Sequence, residues 1–422
     1  MRCKSVQAAR QLAMVVLAVP AATALSPARP PLWLLIAISS CAPFALNVFV
    51  PSLPRLAEAF QSDYGTAQLA LTLFLVGIAL GQPIYGPLSD CYGRRPVLLG
   101  GLGIGLFGSV LCLVAPTIEI LLVGRFLQAF GGCVGLVLSR AMVRDLFERD
   151  RAASELAYVT MGMSLMPMVA PSIGGLLDEH FGWRASFVLL TAFVAVVLLG
   201  SWARAAETNH QREASVDFRH LARGWSSLVR SRIFVGYTLA MSFNTVAFFA
   251  FLAVAPYLMV TVMGRPPSEY GFWFAGCAGS YLIGNFVTGR YSQRIGLDRM
   301  VRIGNLCSLM GTGFGLFWAL TFPLEVWALF LPIFVVGIAH GFSQPNLIAG
   351  AVSVDPRLAG SASGLLGFVQ MSLGAIATFV LGHIQDGTSL PLAGLMFGCS
   401  VVSLACHQLA RYSSSSIAKT IK

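Results

Sequence analysis

The sequence predicts an all-α membrane protein, with twelve transmembrane helices arranged as two six-helix bundles. Three observations carry that prediction. The 422 residues are 56% hydrophobic and only 11% charged, whereas soluble domains carry about a quarter charged residues. The apolar residues come in runs of about twenty, the length at which a helix crosses a bilayer, and not in the short alternating runs of a membrane barrel. Finally, one motif occurs twice. The stretch from Gly81 to Pro96 holds Gly81, Gly86, Gly93, Pro83, Pro87, Pro96, Asp90, Arg94 and Arg95, and a weaker copy returns as Gly284, Gly289, Ser292 and Gly296. A repeat at that distance in a membrane chain marks two related halves.

The elements follow in order. Residues 1–31 begin with Arg2, Lys4 and Arg10 before a short apolar run, a pattern shared with signal peptides. Cleavage there would turn the arginine-rich loops outward, against the positive-inside rule. An uncleaved cytoplasmic tail is therefore expected. Spans are predicted near 33–56, 67–88, 97–116, 119–140, 156–177, 185–204, 233–260, 269–290, 299–321, 325–348, 359–381 and 390–410. The first six form an N-terminal bundle over 32–204 and the last six a C-terminal bundle over 233–410. Between them, 205–232 reads as a polar cytoplasmic linker with some surface helix, and 411–422 as a cytoplasmic tail. Gly81 to Pro96 reads as a tight turn, because proline and glycine stop helices.

Charge fixes the expected orientation. Predicted inner loops hold Arg94, Arg95, Arg140, Arg144, Arg149, Arg151, Arg290, Arg294, Arg299, Arg302 and Arg357, and the linker adds five more arginines. Predicted outer loops hold Arg55, Arg184 and Arg265. That asymmetry places both termini in the cytoplasm. The net charge of +10 thus reads as topology and attraction to anionic lipid, not as a nucleic-acid face. The cysteines are scattered without metal-ligand spacing, so no metal and no cofactor are expected. Gly103-Ile104-Gly105-Leu106-Phe107-Gly108 spells a dinucleotide fingerprint but lies inside a span with no strand before it, which makes it a helix-packing surface. Gly360 to Gly364 is centred on Ala362 and is no nucleophile elbow.

Several motifs, in order and spacing, resemble the major facilitator superfamily. The loop after span two is similar to that superfamily's signature loop. Span four reads Gly124-Arg125-Phe126-Leu127-Gln128 and ends Arg140-Ala141-Met142-Val143-Arg144-Asp145, similar to twelve-span drug/proton antiporters. Span five carries Ala170, Pro171, Gly174 and Gly175, close to the antiporter motif of that span, with Ala170 where glycine is usual. With Gly182-Trp183-Arg184 and the segment 359–364, the pattern looks most like the bicyclomycin/chloramphenicol-resistance (Bcr/CflA) branch. The resemblance covers about residues 32–410. It implies the major facilitator fold, in a monomer of the bacterial inner membrane. It also implies export of small amphipathic compounds by alternating access, coupled to inward proton flow.

The candidate site residues are few. Arg125 is a charge inside span four, and such a charge lines a cavity, finds a partner or snorkels to the interface. Gln128 shares its face. Asn47 stands where relatives in the branch carry an aspartate, and asparagine does not titrate at physiological pH. All eighteen acids fall at span ends, in loops or in the linker. His340 lies well inside span ten; it either exchanges protons or bonds to a neighbouring helix. Asn244 interrupts the aromatic run Phe243, Phe248, Phe249 and Phe251 of span seven, where an amide can orient a ligand in an apolar pocket. Met161, Met163, Met166 and Met168 add soft surface in span five, and Gln344, Tyr281, Asn346 and Gln370 are further cavity candidates. The resemblance also implies a conformational latch of Gly86, Asp90, Gly93, Arg94 and Arg95. In it, Asp90 meets Arg140 or Arg144 and the N-terminal end of span eleven near Gly360. The repeat has Gln293 at Asp90's place. Rival readings are a proton-independent facilitator or metabolite exporter of the same fold, an intramembrane enzyme using His340, and a sensor without transport.

Overall fold

The computed structural model describes residues 30–210, 218–355 and 358–420; the expected N-terminal tail lies almost wholly outside them. Among the described residues the regular structure is helical throughout. In chain order the helices are α1 (Leu32–Val48), α2 (Leu53–Ala59), α3 (Tyr64–Tyr92), α4 (Arg94–Val114), α5 (Ile118–Leu146), α6 (Arg149–Phe181) and α7 (Arg184–Arg204). They continue as α8 (Phe218–Arg230), α9 (Arg232–Pro256), α10 (Pro267–Ile295), α11 (Leu297–Thr321), α12 (Val326–Val352), α13 (Ala359–Ile384) and α14 (Leu390–Thr420).

Among the described residues, eleven segments are long and apolar enough to cross a membrane. The predicted eighth span falls on α10, whose 29 residues suffice in length but which is not among those eleven. Its sequence carries Glu269, Asn285, Arg290, Gln293 and Arg294, so apolar character alone does not confirm a count of twelve.

The helices pack in two groups. In the first, α1 packs on α5, α6 and α7, α5 on α3 and α4, and α4 on α7. In the second, α9 packs on α12, α13 and α14, α12 on α10 and α11, and α11 on α14. Two long helix pairs join the groups: α3 with α13, and α6 with α10. The hydrogen bonds between the groups gather toward one end of the molecule. Gln68 Nε2 donates to the Thr378 carbonyl at 2.5 Å, the Thr72 and Thr378 hydroxyls lie 2.9 Å apart, and Tyr64 donates to the Ala253 carbonyl at 2.6 Å. At that end Asp63 caps α3 by accepting from Thr66. Those bonds hold its carboxyl below the usual carboxylate range.

Four expectations need correction. The stretch from Gly81 is not a tight turn, because α3 runs through Pro83 and Pro87 to Tyr92. Neighbouring helices in a membrane bundle tolerate such breakers. The turn is Gly93 alone, at φ 99°, a backbone region that favours glycine. Span one is broken: α1 stops at Val48, a 3-10 turn follows over Val50–Ser52, and α2 restarts, with Pro51 and Pro54 at the joint. Helix α6 begins at Arg149, before its predicted span. The expected tail after 410 is still helical to Thr420.

The repeat is visible in the backbone. Gly296 mirrors Gly93 at φ 90°. The Gly93 amide donates to the Ser89 carbonyl at 3.1 Å, and the Gly296 amide to the Ser292 carbonyl at 2.8 Å. The two copies therefore end their helices the same way. The linker divides its loyalties: 205–210 lies against the first group, while α8 packs on α9 and α13 of the second.

Candidate functional site

The first group encloses a cation. Arg125 is fully buried, so it does not snorkel. Its Nη1 donates to the Ala45 carbonyl at 3.2 Å and to Gln128 Oε1, and Nε donates to the Ala70 carbonyl at 3.4 Å. The guanidinium carbon lies 3.8 Å from the Phe49 ring centroid and 4.2 Å from that of Phe74, within cation–π range. Gln128 passes the network on, donating to Ser109 at 2.8 Å. Nη2 has no hydrogen-bond partner among the described residues, and no carboxylate neutralises the charge there. Helices α1, α3, α4 and α5 all contribute. They come this close because glycines line α4 and α5: a Cβ on Gly131 would sit 2.2 Å from the Gly105 nitrogen. The expected helix-packing role of that glycine run is what the structure shows.

The second group encloses amides and hydroxyls. Asn244 Nδ2 donates to Asn305 Oδ1 and to Ser343 Oγ, both at 3.2 Å, and Ser403 donates to the Ala240 carbonyl at 2.8 Å. Asn244 is thus buried within its own group. His340 is also buried, and its Nε2 has no hydrogen-bond partner among the described residues. The expected alternative of a bond from Nε2 to a neighbouring helix is not seen. Tyr281 donates to Gln344 Oε1 at 3.3 Å, and Gln370 Nε2 to Thr245 at 2.9 Å. Asn47 is buried, donating to the Pro43 carbonyl at 2.8 Å, with Oδ1 unpartnered among the described residues. The structure therefore separates the predicted residues: Arg125 and Gln128 share one network, Asn244 sits in another, and Gln344 pairs with Tyr281.

The predicted latch is assembled with different partners. Arg94, not Arg140 or Arg144, meets Asp90: Nη1 lies 2.5 Å from Asp90 Oδ1, and Nε lies 2.9 Å from Asp145 Oδ2. Arg94 also donates to Ser89 Oγ at 2.6 Å. Glu207 of the linker accepts from the Arg94 and Arg95 amides at 2.8 and 3.2 Å, and from the Thr208 and Asn209 amides at 3.0 and 2.9 Å. A carboxylate over the first amides of α4 satisfies orphan donors and suits the helix dipole. Arg95 donates to the Trp202 carbonyl at 2.9 Å. Arg140 and Arg144 are exposed. A Cβ on Gly86 or Gly360 would meet nothing within 4 Å, so helix α13 does not crowd the loop here.

The span-five motif lies on the seam between the groups. A Cβ on Gly174 would fall 1.7 Å from the Val48 carbonyl oxygen, and one on Gly175 2.5 Å from that of Pro267. Ala170 and Pro171 are buried beside them, and Ser172 donates to the Gly271 carbonyl at 2.8 Å. One residue there escapes the sequence reading. Asp178, placed by sequence at a span end, is fully buried and ion-paired with Arg55 at 3.4 Å. Ser109, Asn305, Ser343 and Glu207 escape it as well, since each acts through a partner distant in the chain.

Two packed groups of membrane helices, related by a repeat and meeting along two helix pairs, define the class as a polytopic membrane protein of the transporter type. The chain belongs to the Major Facilitator Superfamily, whose family model matches residues 32–378. It is 28% identical over 373 residues to a bicyclomycin resistance protein homolog of Haemophilus influenzae, covering 88% of this chain and 93% of the relative. It is 31% identical over 383 residues to a chloramphenicol resistance protein of Pseudomonas aeruginosa, covering 86% and 88%. These relatives support the Bcr/CflA branch. Among solved structures, a bacterial homolog of the human lysosomal transporter Spinster aligns with a TM-score of 0.68 and 16% identity, over 91% of this chain and 96% of that one, which shows the shared fold.

Proposed function

We propose that this protein exports small amphipathic drugs across the bacterial inner membrane by alternating access, with protons moving inward in exchange. The functional names of the two relatives support drug export. The observation that carries alternating access is the uneven seam. The bonds at Tyr64, Gln68, Thr72, Thr378 and Ser172 hold the groups together at one end, while at the other Gly86 and Gly360 face open space. The charge pattern assigns the open, arginine-rich end to the cytoplasm, with both termini there. In this state Asp90 rests on Arg94. Closing the cytoplasmic end would bring the start of α13 to that loop and offer Asp90 a helix N-terminus.

Arg125, Asn47 and His340 are the interior groups to which we assign coupling and substrate contact, with Gln128, Asn244 and Gln344 as polar supports. The chain works as a monomer, takes no cofactor and transports instead of catalysing. Asn47 favours a second reading, a proton-independent facilitator or metabolite exporter, because no acid occupies that site. Drug efflux from cells, followed as the pH gradient is collapsed, separates the two. Antiport requires uphill export to stop, and continued uphill export would sink proton coupling. Restoring the acid with Asn47→Asp should then alter the pH dependence of export.

A further inference from the structure

The break in span one leaves α2 as a short flap at the end where the two groups meet. The 3-10 turn before it touches α9 and α10, and α2 itself touches the π-helical segment Tyr257–Val262. The flap thus covers the seam from the N-terminal side. What ties it down is Arg55. Its Nη1 donates to the Asp178 carbonyl at 2.5 Å, and its Nε lies 3.4 Å from Asp178 Oδ2. The Arg55 side chain is 38% exposed and that of Asp178 is 0% exposed. Asp178 is the only carboxylate among the described residues that is fully buried; its oxygens make no hydrogen bond of good geometry there, and the buried Ser52 hydroxyl, just before α2, lies beside them.

Each feature has a physical consequence. Burial favours a neutral carboxyl group, while an adjacent cation or a donating hydroxyl favours the charged one. The balance therefore depends on where Arg55 sits. The side-chain contact is single and long, so it is the half of the tie that a proton removes; the bond to the backbone carbonyl does not titrate. The exposed side of Arg55 gives protons a short path from water. Asp178 also lies one turn beyond Gly174, whose backbone touches Val48 just before the break. The other charges at this end are Glu58, Glu179 and Arg184, all exposed, with Glu119 at the start of α5 and His180 beside Glu179. On α10, Glu269 lies 3.9 Å from Arg265. Among the described residues, none of these makes an ion pair or hydrogen bond with Asp178.

We propose that Asp178 is a proton-binding site and that, with Arg55, it forms a clasp that loosens when Asp178 is protonated, freeing α2 and easing the seam open. The clasp regulates opening and needs no proton to cross the membrane. Its test therefore reads a distance and not transport, which keeps it distinguishable from the fate of the antiport reading.

Spin labels at Phe181 and Thr388, exposed positions on either side of the seam, report opening in full-length protein with its native cysteines replaced by alanine. In lipid vesicles the separated population should rise about three-fold between mildly alkaline and mildly acidic buffer, a modest shift between two states. Asp178→Asn should show the acid-like distribution at both pH values, and Asp178→Glu should keep the response. Arg55→Gln removes the partner, should abolish the response, and serves if Asp178→Asn does not fold. An unchanged distribution in the parent protein, or a full response in Asp178→Asn or Arg55→Gln, overturns the clasp.

Discussion

The two halves repeat one backbone plan and fill it with opposite chemistry. In the first, the polar interior is a buried guanidinium ringed by Phe49 and Phe74 and held by Gln128. In the second, it is the neutral set Asn244, Asn305 and Ser343. The contrast recurs at the two signature turns. After Gly93, Arg94 gathers Asp90 and Asp145. After Gly296 the matching position is Leu297, and the next, Asp298, accepts from Tyr237 at 2.8 Å and lies 3.2 Å from His407 Nε2. A repeat fold needs interior polar bonds to align its helices, and neutral amides supply them at little cost. A cation buried without a carboxylate is expensive. Among the described residues it occurs in the first half only, and the proposal for Arg125 rests on that difference.

The sharpest way to break the comparison is to neutralise the first interior. Arg125→Met, close in volume, should lower drug export by more than ten-fold, while thermal unfolding in detergent changes by no more than about 2 kcal/mol, because removing an unpaired charge offsets the lost bonds. Export that survives would show Arg125 to be structural. Next in size is Arg94→Leu, which copies the second half's residue. It strips Asp90, Asp145 and Ser89 of their shared donor at a side chain only 10% exposed. A loss of about 2 kcal/mol in unfolding free energy, with slowed export, is expected. Equal stability would show that the first turn tolerates the neutral plan.

Much of this was legible in the sequence, for identifiable reasons. Apolar runs and arginine counts mark spans because lipid enforces both. Arg125 stood out because a charge in a span has few uses. Its aromatic cage did not, since Phe49 and Phe74 come from other helices and look like any lipid-facing phenylalanine. Pro83 and Pro87 misled because their helix-breaking reputation belongs to water, where no neighbouring helix holds the segment. The latch partner was sought on span four, yet Arg94 lies four residues from Asp90, a spacing that brings side chains together on helices. Asp178 was placed by sequence only at a span end. It is buried beside the span-one break, where the 3-10 turn packs on α6 and Arg55 meets it, a closeness that the sequence does not display.

The smaller effects probe whether the neutral half is only scaffold. Asn244→Leu removes its bonds to Asn305 and Ser343. Interhelical hydrogen bonds in membranes contribute about 0.6 kcal/mol on average, so the pair should cost about 1 kcal/mol and leave export near normal. Export lost without loss of stability would instead make Asn244 a ligand contact and erase the asymmetry. Smallest is Ser109→Ala, at the far end of the charged network. Gln128 Nε2 loses its 2.8 Å acceptor but stays tied to Arg125 through Oε1. A cost of about 0.5 kcal/mol is expected, with export reduced slightly as Gln128 gains freedom to turn. If Ser109→Ala instead matches Arg125→Met in export, the functional unit is the whole chain of bonds, and the cation is only its most visible member.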